Sequence, residues 1–471
     1  MPRTTIAVDY LVIGAGVSGM AFADVIAGES GRTMAIVDRN DAPGGHWTMS
    51  YPFVRLHGSS EAYGVHSRAM PSDSIRGNRA SRSEILDYYD RFMRESLLES
   101  GRVTYLPMHN VDRVVPGRPA TARARSLVSG ETTEIVVSRR VVDASYLDIT
   151  VPAMRRRSYE VAEGVPLVTV NDLVNLGATP ERYTVIGAGK TGLDACLWLL
   201  NRGVDPDRIT WIVSREAWLL TRNLGSELPE YRQLQRLHDC HSVDEVLHAL
   251  EELELIIRRG PGSTPTAFRC ATVSFAELAQ LRQIRHVVRQ GRIRRIDAAG
   301  VHLDGGDLTT PPGTVYVDCS ADGLTQRPLK PVFENGAITL QALLPCLLAP
   351  SAAVIGKLES LTIDDDERNR LATPVLNPAE ARDVIAYYAM RLQRLHQWSG
   401  SPALFDWFRN SRLSGATPGL EDMHDEDNRT AAAGLATHLW KVLKENGTTA
   451  KVPKQRSLLT ATRRPVRTPA T

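Results

Sequence analysis

The sequence predicts an α/β protein made of two three-layer units with small antiparallel excursions and a helical C-terminal region. Three observations carry this. A glycine-rich turn occurs twice, about 170 residues apart, as Tyr10-Leu-Val-Ile-Gly14-Ala-Gly16-Val-Ser-Gly19 and as Thr184-Val-Ile-Gly187-Ala-Gly189-Lys-Thr-Gly192. Each copy follows a short apolar strand and opens a helix, the setting in which G-x-G-x-x-G carries meaning. Each is then followed by a second apolar strand with a polar end, Ala35-Ile-Val-Asp38-Arg39 and Trp211-Ile-Val-Ser214-Arg215. A fainter repeat completes the pattern. Gly101-Arg-Val-Thr leads to Val141-Val-Asp143-Ala-Ser145, and Gly291-Arg-Ile-Arg leads to Tyr316-Val-Asp318-Cys-Ser320. Both read as an antiparallel excursion returning to a parallel strand that ends in a tight turn, where open α/β sheets place ligands. Two Rossmann-like units are the expectation.

In chain order, the first unit reads as strand Tyr10–Ile13, helix Val17–Ala27 and strand Ala35–Val37. A loop holding Pro43-Gly-Gly45-His46-Trp47 follows, then a helix over Ser83–Ser100 opened by the capping pair Ser81 and Glu84. The second unit starts at Tyr183. Its helix Lys190–Asn201 is closed by Gly203, and its second strand is Ile209–Val213. Ser242-x-x-Glu245 and Ser274-x-x-Glu277 signal two more helices. Amphipathic spacing predicts a helix from Pro378 to Ser399, with a shorter one over Ala403–Arg412. The expected units are 1–165, 166–300 with a helical insertion, 301–370 as the return to the first unit, and helices over 371–415. Residues 416–471 are expected to be largely extended or disordered. Trp398, Phe405, Trp407 and Phe408 are expected as core.

Composition narrows the function. At 471 residues, 42% hydrophobic and 23% charged, the chain has the make-up of a soluble globular protein. A net charge of +2 gives no ground for nucleic acid or an acidic membrane as partner. Cys196, Cys240, Cys270, Cys319 and Cys346 are dispersed without a C-x-x-C pair, which predicts buried free thiols in a reducing cytoplasm and no metal site. The most apolar stretch, Leu340–Leu358, is interrupted by Pro345, Pro350 and Lys357 and is too short to span a bilayer. The first core strand begins within ten residues of the start, so no signal peptide is expected. Either a monomer or an oligomer is compatible with this composition.

The glycine turns carry the chemistry. The first Gly of each permits the turn, the second admits a pyrophosphate and the third lets helix and strand pack. Unpaired N–H groups at the helix start then receive the anion. In the first copy Gly14, Ala15, Gly16, Val17, Ser18 and Gly19 form this cradle, with Asp38 and Arg39 at the next strand end; the acid suits a ribose with a free 2′-hydroxyl. In the second copy Gly187, Gly189, Lys190, Thr191 and Gly192 form it. Ser214 and Arg215 replace the acid in register with Asp38, which suits a 2′-phosphate, with Arg222 as a weaker helper. Gly189-Lys190-Thr191 is no phosphate-binding P-loop, because position 184 is Thr where that motif needs Gly. Two nucleotide sites of different preference point to two cofactors exchanging electrons. Gly45, His46, Trp47, Arg55 and His57 form the densest remaining cluster and are expected to line the first cofactor. His57 and Arg55 are the candidate catalytic groups, and Asp322 in the turn after Asp318 is a further cofactor contact.

Taken together, Gly14-x-Gly16-x-x-Gly19, Asp38, Gly44-Gly45-His46-Trp47, Tyr51-Pro-x-x-Arg55 and Gly187-x-Gly189-x-x-Gly192 with Arg215 resemble the two-dinucleotide-binding-domain flavoproteins. Within these the chain is most similar to flavin-containing and Baeyer–Villiger monooxygenases, over roughly residues 8–325. The resemblance implies FAD in the first site and NADPH in the second. It also implies O₂ as co-substrate and oxygen transfer to nitrogen, sulfur or a carbonyl carbon of a small organic molecule. Two departures mark a divergent member. The linking fingerprint F-x-G-x-x-x-H is missing from Tyr159-Glu-Val-Ala-Glu-Gly164-Val-Pro-Leu-Val-Thr. His57 stands where those enzymes keep Asp or Asn. A flavin reductase without productive oxygen transfer, and a non-catalytic nucleotide-binding protein, are the alternative readings.

Overall fold

The computed structural model describes residues 4–58, 60–70, 79–222, 234–321, 323–416, 423 and 425–446. The first sheet has eight strands. β1 (Thr4–Ile13) is flanked by β2 (Met34–Val37) and β6 (Thr132–Asp143), with β3 (Val103–Leu106) beyond β2, all parallel. β4 (His109–Val115) and β5 (Ala120–Ser126) form an antiparallel hairpin that joins β6. α1 (Val17–Glu29) connects β1 to β2. All four residues of β2 are buried, as expected of a central strand covered on both faces. Met34 and Ile36 pack with α1, while Ala35 and Val37 pack under the hairpin with Ala122, Ala124 and Ile135.

α2 (Arg82–Arg91) begins at Ser81, whose hydroxyl accepts from the Glu84 amide while the Glu84 carboxylate accepts from the Ser81 amide at 2.7 Å. The sequence expectation of a capping box holds here. The helix runs on, more widely wound, to Leu98.

β7 (Glu160–Val161) and β8 (Leu167–Thr169) lead into the second unit. Its sheet has the order β14-β10-β9-β18-β8, from β9 (Arg182–Ile186), β10 (Ile209–Ile212), β14 (His286–Val288) and β18 (Thr314–Asp318) with β8, all parallel. α3 (Lys190–Asn201) links β9 to β10. Between β10 and β14 lies an insertion: β11 (Ala217–Thr221), β12 (Ile256–Ile257) and β13 (Ala267–Val273) form a small sheet with α4 (Val243–Glu252) and α5 (Phe275–Leu281). β15 (Ile293–Asp297), β16 (Gly300–Leu303) and β17 (Gly306–Thr309) form a meander that pairs with β7. It occupies the place that β4 and β5 hold in the first unit.

The return to the first sheet comes later than the expected residue 301. β18 belongs to the second sheet, because the meander delivers it between β9 and β8. Only β19 (Phe333–Glu334) and β20 (Ala337–Thr339) rejoin β6. α6 (Leu348–Ser360) then packs on α1, where a Cβ at Gly356 would sit 3.1 Å from the Val25 Cβ and 3.2 Å from the Phe22 carbonyl. The apolar stretch expected to be too broken for a membrane is thus core. Among the described residues no helix is long and apolar enough to cross a membrane.

The C-terminal region is helical: α7 (Asp365–Leu371), α8 (Asp383–Ser399), α9 (Pro402–Arg409) and α10 (Glu426–Glu445). α10 occupies part of 416–471, the stretch expected to be largely extended or disordered, and over Glu426–Glu445 it differs from that expectation. It is capped by Asp425 and buries Leu435, Leu439, Val442 and Leu443, packing against α8. Trp398, Phe405 and Phe408 are core, as expected, and Trp407 is partly buried beside the His66 ring. The expectation of five free thiols is also corrected. Cys270 on β13 and Cys346, just ahead of α6, form a disulfide, which the fold sets up by bringing together residues 76 apart in sequence. Cys196, Cys240 and Cys319 are buried and free.

Candidate functional site

Both glycine turns open at strand ends with the same construction. Gly14 and Gly187 adopt φ of 109° and 121°, and their amides donate to the carbonyls of Val37 at 2.8 Å and Ile212 at 3.1 Å. A Cβ at Gly19 or at Gly192 would lie 2.0 Å from the carbonyl oxygen of Gly14 or Gly187, so the third glycine is required by the turn itself. The strand that completes each turn ends alike. The Ser145 amide donates to the Asp143 carboxylate, and the Ser320 amide to that of Asp318, at 2.9 Å in both. α1 and α3 start at Gly16 and Gly189, with no capping side chain and no acid in the first turn. Of the other helices, α2, α4, α5, α7 and α10 carry an acid in that turn and a capping side chain and α8 an acid alone, whereas α6 and α9, which do not open at glycine turns, carry neither. Two helix starts with free amides and no competing carboxylate fit an anionic pyrophosphate.

Around the first turn, Asp38 directly follows β2 and is buried. Its Oδ2 accepts from the Ala15 amide at 2.5 Å and its Oδ1 from the Asn40 amide at 2.8 Å. Val17 is partly buried and Ser18 buried on α1, while Arg39 points to solvent. The 43–49 loop lies over the turn: the Gly44 amide donates to the Ala15 carbonyl at 2.9 Å, and a Cβ at Gly45 would come 2.9 Å from the Gly16 Cα. Gly45 therefore serves close approach of two backbones. His46 and Trp47 follow with ring centroids 5.1 Å apart. Burial lowers the His46 pKa to about 4. Arg82, which sequence reasoning does not single out, donates to the carbonyls of Trp47 at 3.1 Å and Thr48 at 2.7 Å and so fixes the loop.

The second turn differs from its sequence alignment by one residue. Ile186 pairs with Ile212 as Ile13 pairs with Val37, which puts Val213 in the place of Asp38. Ser214 then matches Arg39, and Arg215 matches Asn40. The acid is still absent from the strand end, but Ser214 is exposed and Arg215 stands a residue further out than expected. Arg215 is also engaged: it ion-pairs with Glu380 at 2.9 Å and donates to the Thr266 carbonyl at 2.5 Å. Gly189 faces open space, and Thr191 is partly buried beside it. Asp322 lies outside the described residues.

Between the turns, the loop that covers the first reaches the helix that starts at the second. The Tyr51 hydroxyl donates to Asp194 Oδ2 at 2.6 Å, and Lys190 ion-pairs with the other oxygen of Asp194. Phe53 stacks on Trp198 with centroids 5.1 Å apart. Burial, with the Asp194 carboxylate beside it, pushes the Tyr51 hydroxyl well above its ordinary pKa. His57 follows in the same loop. Burial, reinforced by Lys190, Arg222 and Arg79, lowers its pKa to about 3, so the ring is neutral. Its Nδ1 is buried with no hydrogen-bond partner among the described residues.

Arg222 is thus found near His57 and away from Arg215, and pairs with Glu277 at 2.8 Å. Glu277 is partly buried, which alone would raise its carboxyl, but Arg222 and the Ser274 amide hold it below the ordinary value. Arg55 lies on the outer side of the His57 loop. The chain is extended through Val54, Arg55 and Leu56, so with the two apolar neighbours inward Arg55 turns out, exposed, and donates to the Arg79 carbonyl at 2.6 Å. Asp194 was legible as the i+4 partner of Lys190. Glu277 carried no signal beyond its helix cap.

The chain matches the family model described as pyridine nucleotide-disulphide oxidoreductase over residues 8–244, half its length, and belongs to that family. It is therefore a member of an oxidoreductase family. Uncharacterized proteins of Mycobacterium tuberculosis and Mycobacterium bovis are each 42% identical to it over 430 residues, covering 88% of this chain and 78% of theirs. Among solved structures, a polycyclic ketone monooxygenase from Thermothelomyces thermophila superposes with a TM-score of 0.53 at 13% identity, covering 96% of this chain and 90% of that one. The open form of cyclohexanone monooxygenase gives 0.52 at 15% identity, covering 75% and 86%. The likeness is one of fold, at the low identity of a divergent member.

Proposed function

We propose that the chain is an FAD-dependent, NADPH-reduced monooxygenase acting on a small organic molecule with O₂ as co-substrate. The observation that carries this reading is the direct link between the two turns, made where Tyr51 of the loop over the first meets Asp194 and Lys190 at the start of the second helix. Two nucleotide sites joined in this way suit a hydride passed from one cofactor to the other. FAD and NADPH supply that electron chemistry when bound. The chain supplies placement. Amides of residues 16–19 and 189–192 receive the two pyrophosphates, and Asp38 accepts from the ribose hydroxyls of FAD. Loop residues Gly45, His46 and Trp47 lie on the flavin side, and Arg215 reads the 2′-phosphate of NADPH. His57, neutral and ringed by cations, serves as a hydrogen-bonding group at Nδ1 in place of an acid. The fold likeness to ketone monooxygenases supports oxygen transfer over simple reduction. A flavin reductase is the second reading, favoured by the outward turn of Arg55, whose guanidinium is exposed and bonded to the Arg79 carbonyl.

The test is anaerobic reduction of the FAD-loaded protein with NADPH, followed by mixing with oxygenated buffer. Loss of the flavin's visible absorbance, then slow return of the oxidised spectrum with late peroxide release, is expected. Immediate return with stoichiometric peroxide supports the reductase, and no reduction by NADPH or NADH overturns both.

A further inference from the structure

The guanidinium of Arg215, just beyond the acid-free strand end of the second site, is already matched by a carboxylate from elsewhere in the chain. Arg215 Nη2 lies 2.9 Å from Glu380 Oε2, Nη1 lies 3.5 Å from Oε1, and Nη2 also donates to the Thr266 carbonyl. The nearer acid, Glu216, is not available to Arg215's partner set: it is buried and held by Arg289 at 2.6 Å and Arg259 at 3.3 Å. Glu380 is placed there by its backbone. It forms a bridge with Ala267, the Ala381 amide donates to Thr266, and Asp383 accepts from the amides of Ala379 and Glu380 at 2.8 Å. A segment pinned on both sides holds its carboxylate in position. The pair is reachable, with Arg215 34% and Glu380 54% exposed.

We propose that Glu380 is a coenzyme-discriminating residue: its carboxylate occupies the guanidinium of Arg215 and weakens the second site's hold on a nucleotide bearing a 2′-phosphate, relative to one with a free 2′-hydroxyl. The proposal rests on the reading of the second turn as the NADPH site. A 2′-phosphate arriving at Arg215 must displace Glu380 or sit against its negative charge, and like charges placed together oppose binding. A 2′-hydroxyl meets no such repulsion. The segment ahead of α8 thus tempers the NADPH preference that Arg215 would otherwise impose.

The experiment is calorimetric titration of the full-length, flavin-loaded protein with NADP⁺, NAD⁺ and adenosine 2′,5′-bisphosphate. Glu380→Gln is expected to tighten NADP⁺ and the bisphosphate roughly tenfold and to leave NAD⁺ within about twofold. Glu380→Lys should extend the gain, and high salt should shrink it. Arg215→Gln should weaken the phosphate-bearing ligands and abolish the gain in the double variant. If Arg215→Gln weakens NADP⁺ but neither Glu380 variant changes the NADP⁺ to NAD⁺ ratio, the proposal falls and the NADPH site stands. If Glu380→Gln weakens NAD⁺ alone, Glu380 is a ribose ligand and the proposal is overturned. If no variant changes the binding of any phosphate-bearing ligand, the assignment of the second site fails with it.

Discussion

Gly19 and Gly192 leave no room for any side chain, since a Cβ at either would fall 2.0 Å from a backbone oxygen of its own turn. Alanine there must open the turn, at a cost on the order of 2–4 kcal/mol. The two substitutions separate the sites: Gly19→Ala should purify with little flavin, whereas Gly192→Ala should keep flavin and lose nucleotide affinity. Flavin content and nucleotide titration check this. His57 gives a pH signature. Its folded pKa of about 3 lies below the ordinary 6.5, so the unfolded chain binds the extra proton between those values, and stability falls as pH drops through that window. Above 6.5 the contribution is fully present. The thermal midpoint of His57→Gln should therefore fall less steeply on acidification than that of the natural protein, and parallel curves would refute the assignment. At this scale the sequence was informative about residue types and less so about register. Ser214 and Arg215 align with Asp38 and Arg39 by eye, and only the strand pairing of Ile186 with Ile212 reveals the slip of one.

Elements with strong local signals were legible. The cap boxes at Ser81 and Ser274 and the span of α3 from Lys190 to Asn201 match the structure because each is fixed by residues within one turn. The gathering of Arg222, Glu277 and Lys190 near His57 was not, because it depends on how an insertion folds back over a sheet. α10 lies between these cases. Ala432, Leu435, Ala436, Leu439, Val442 and Leu443 recur at helical spacing, yet polar composition on either side masks them. The clasp between the 51–57 loop and α3 is the element-scale feature with the clearest consequence. Tyr51→Phe removes a hydrogen bond to a charged acceptor and leaves Asp194 with one fewer partner, costing about 1.5–3 kcal/mol. Urea unfolding should show that loss. If the clasp also positions the two nucleotide sites, flavin reduction by NADPH should slow while flavin content stays unchanged.

At the scale of the whole molecule, two of the long-range ties that close the C-terminal region onto the rest have direct consequences. One is the Cys270–Cys346 bond, which joins the insertion to the segment before α6. Thiol titration of the unfolded, unreduced chain should count three groups, rising to five on reduction. The other is α10. Leu435, Leu439, Val442 and Leu443 are each at most 2% exposed, and burying a large aliphatic side chain contributes roughly 1.5–3 kcal/mol. Together the four account for roughly 6–12 kcal/mol as an upper bound, comparable to the roughly 5–15 kcal/mol that separates a folded protein from its unfolded chain. The face they cover is core: α8 buries Leu392, Leu395 and Trp398 and packs against α10. A chain ending at Asp425 would expose that face and should be recovered mostly as aggregate. One ending at Asn446 keeps all of α10 and should be recovered soluble. Soluble yield and melting of the two truncations decide the point: equal behaviour would mean that α10 is an appendage, and loss in the shorter chain alone would make it part of the core that holds both nucleotide-binding units in place.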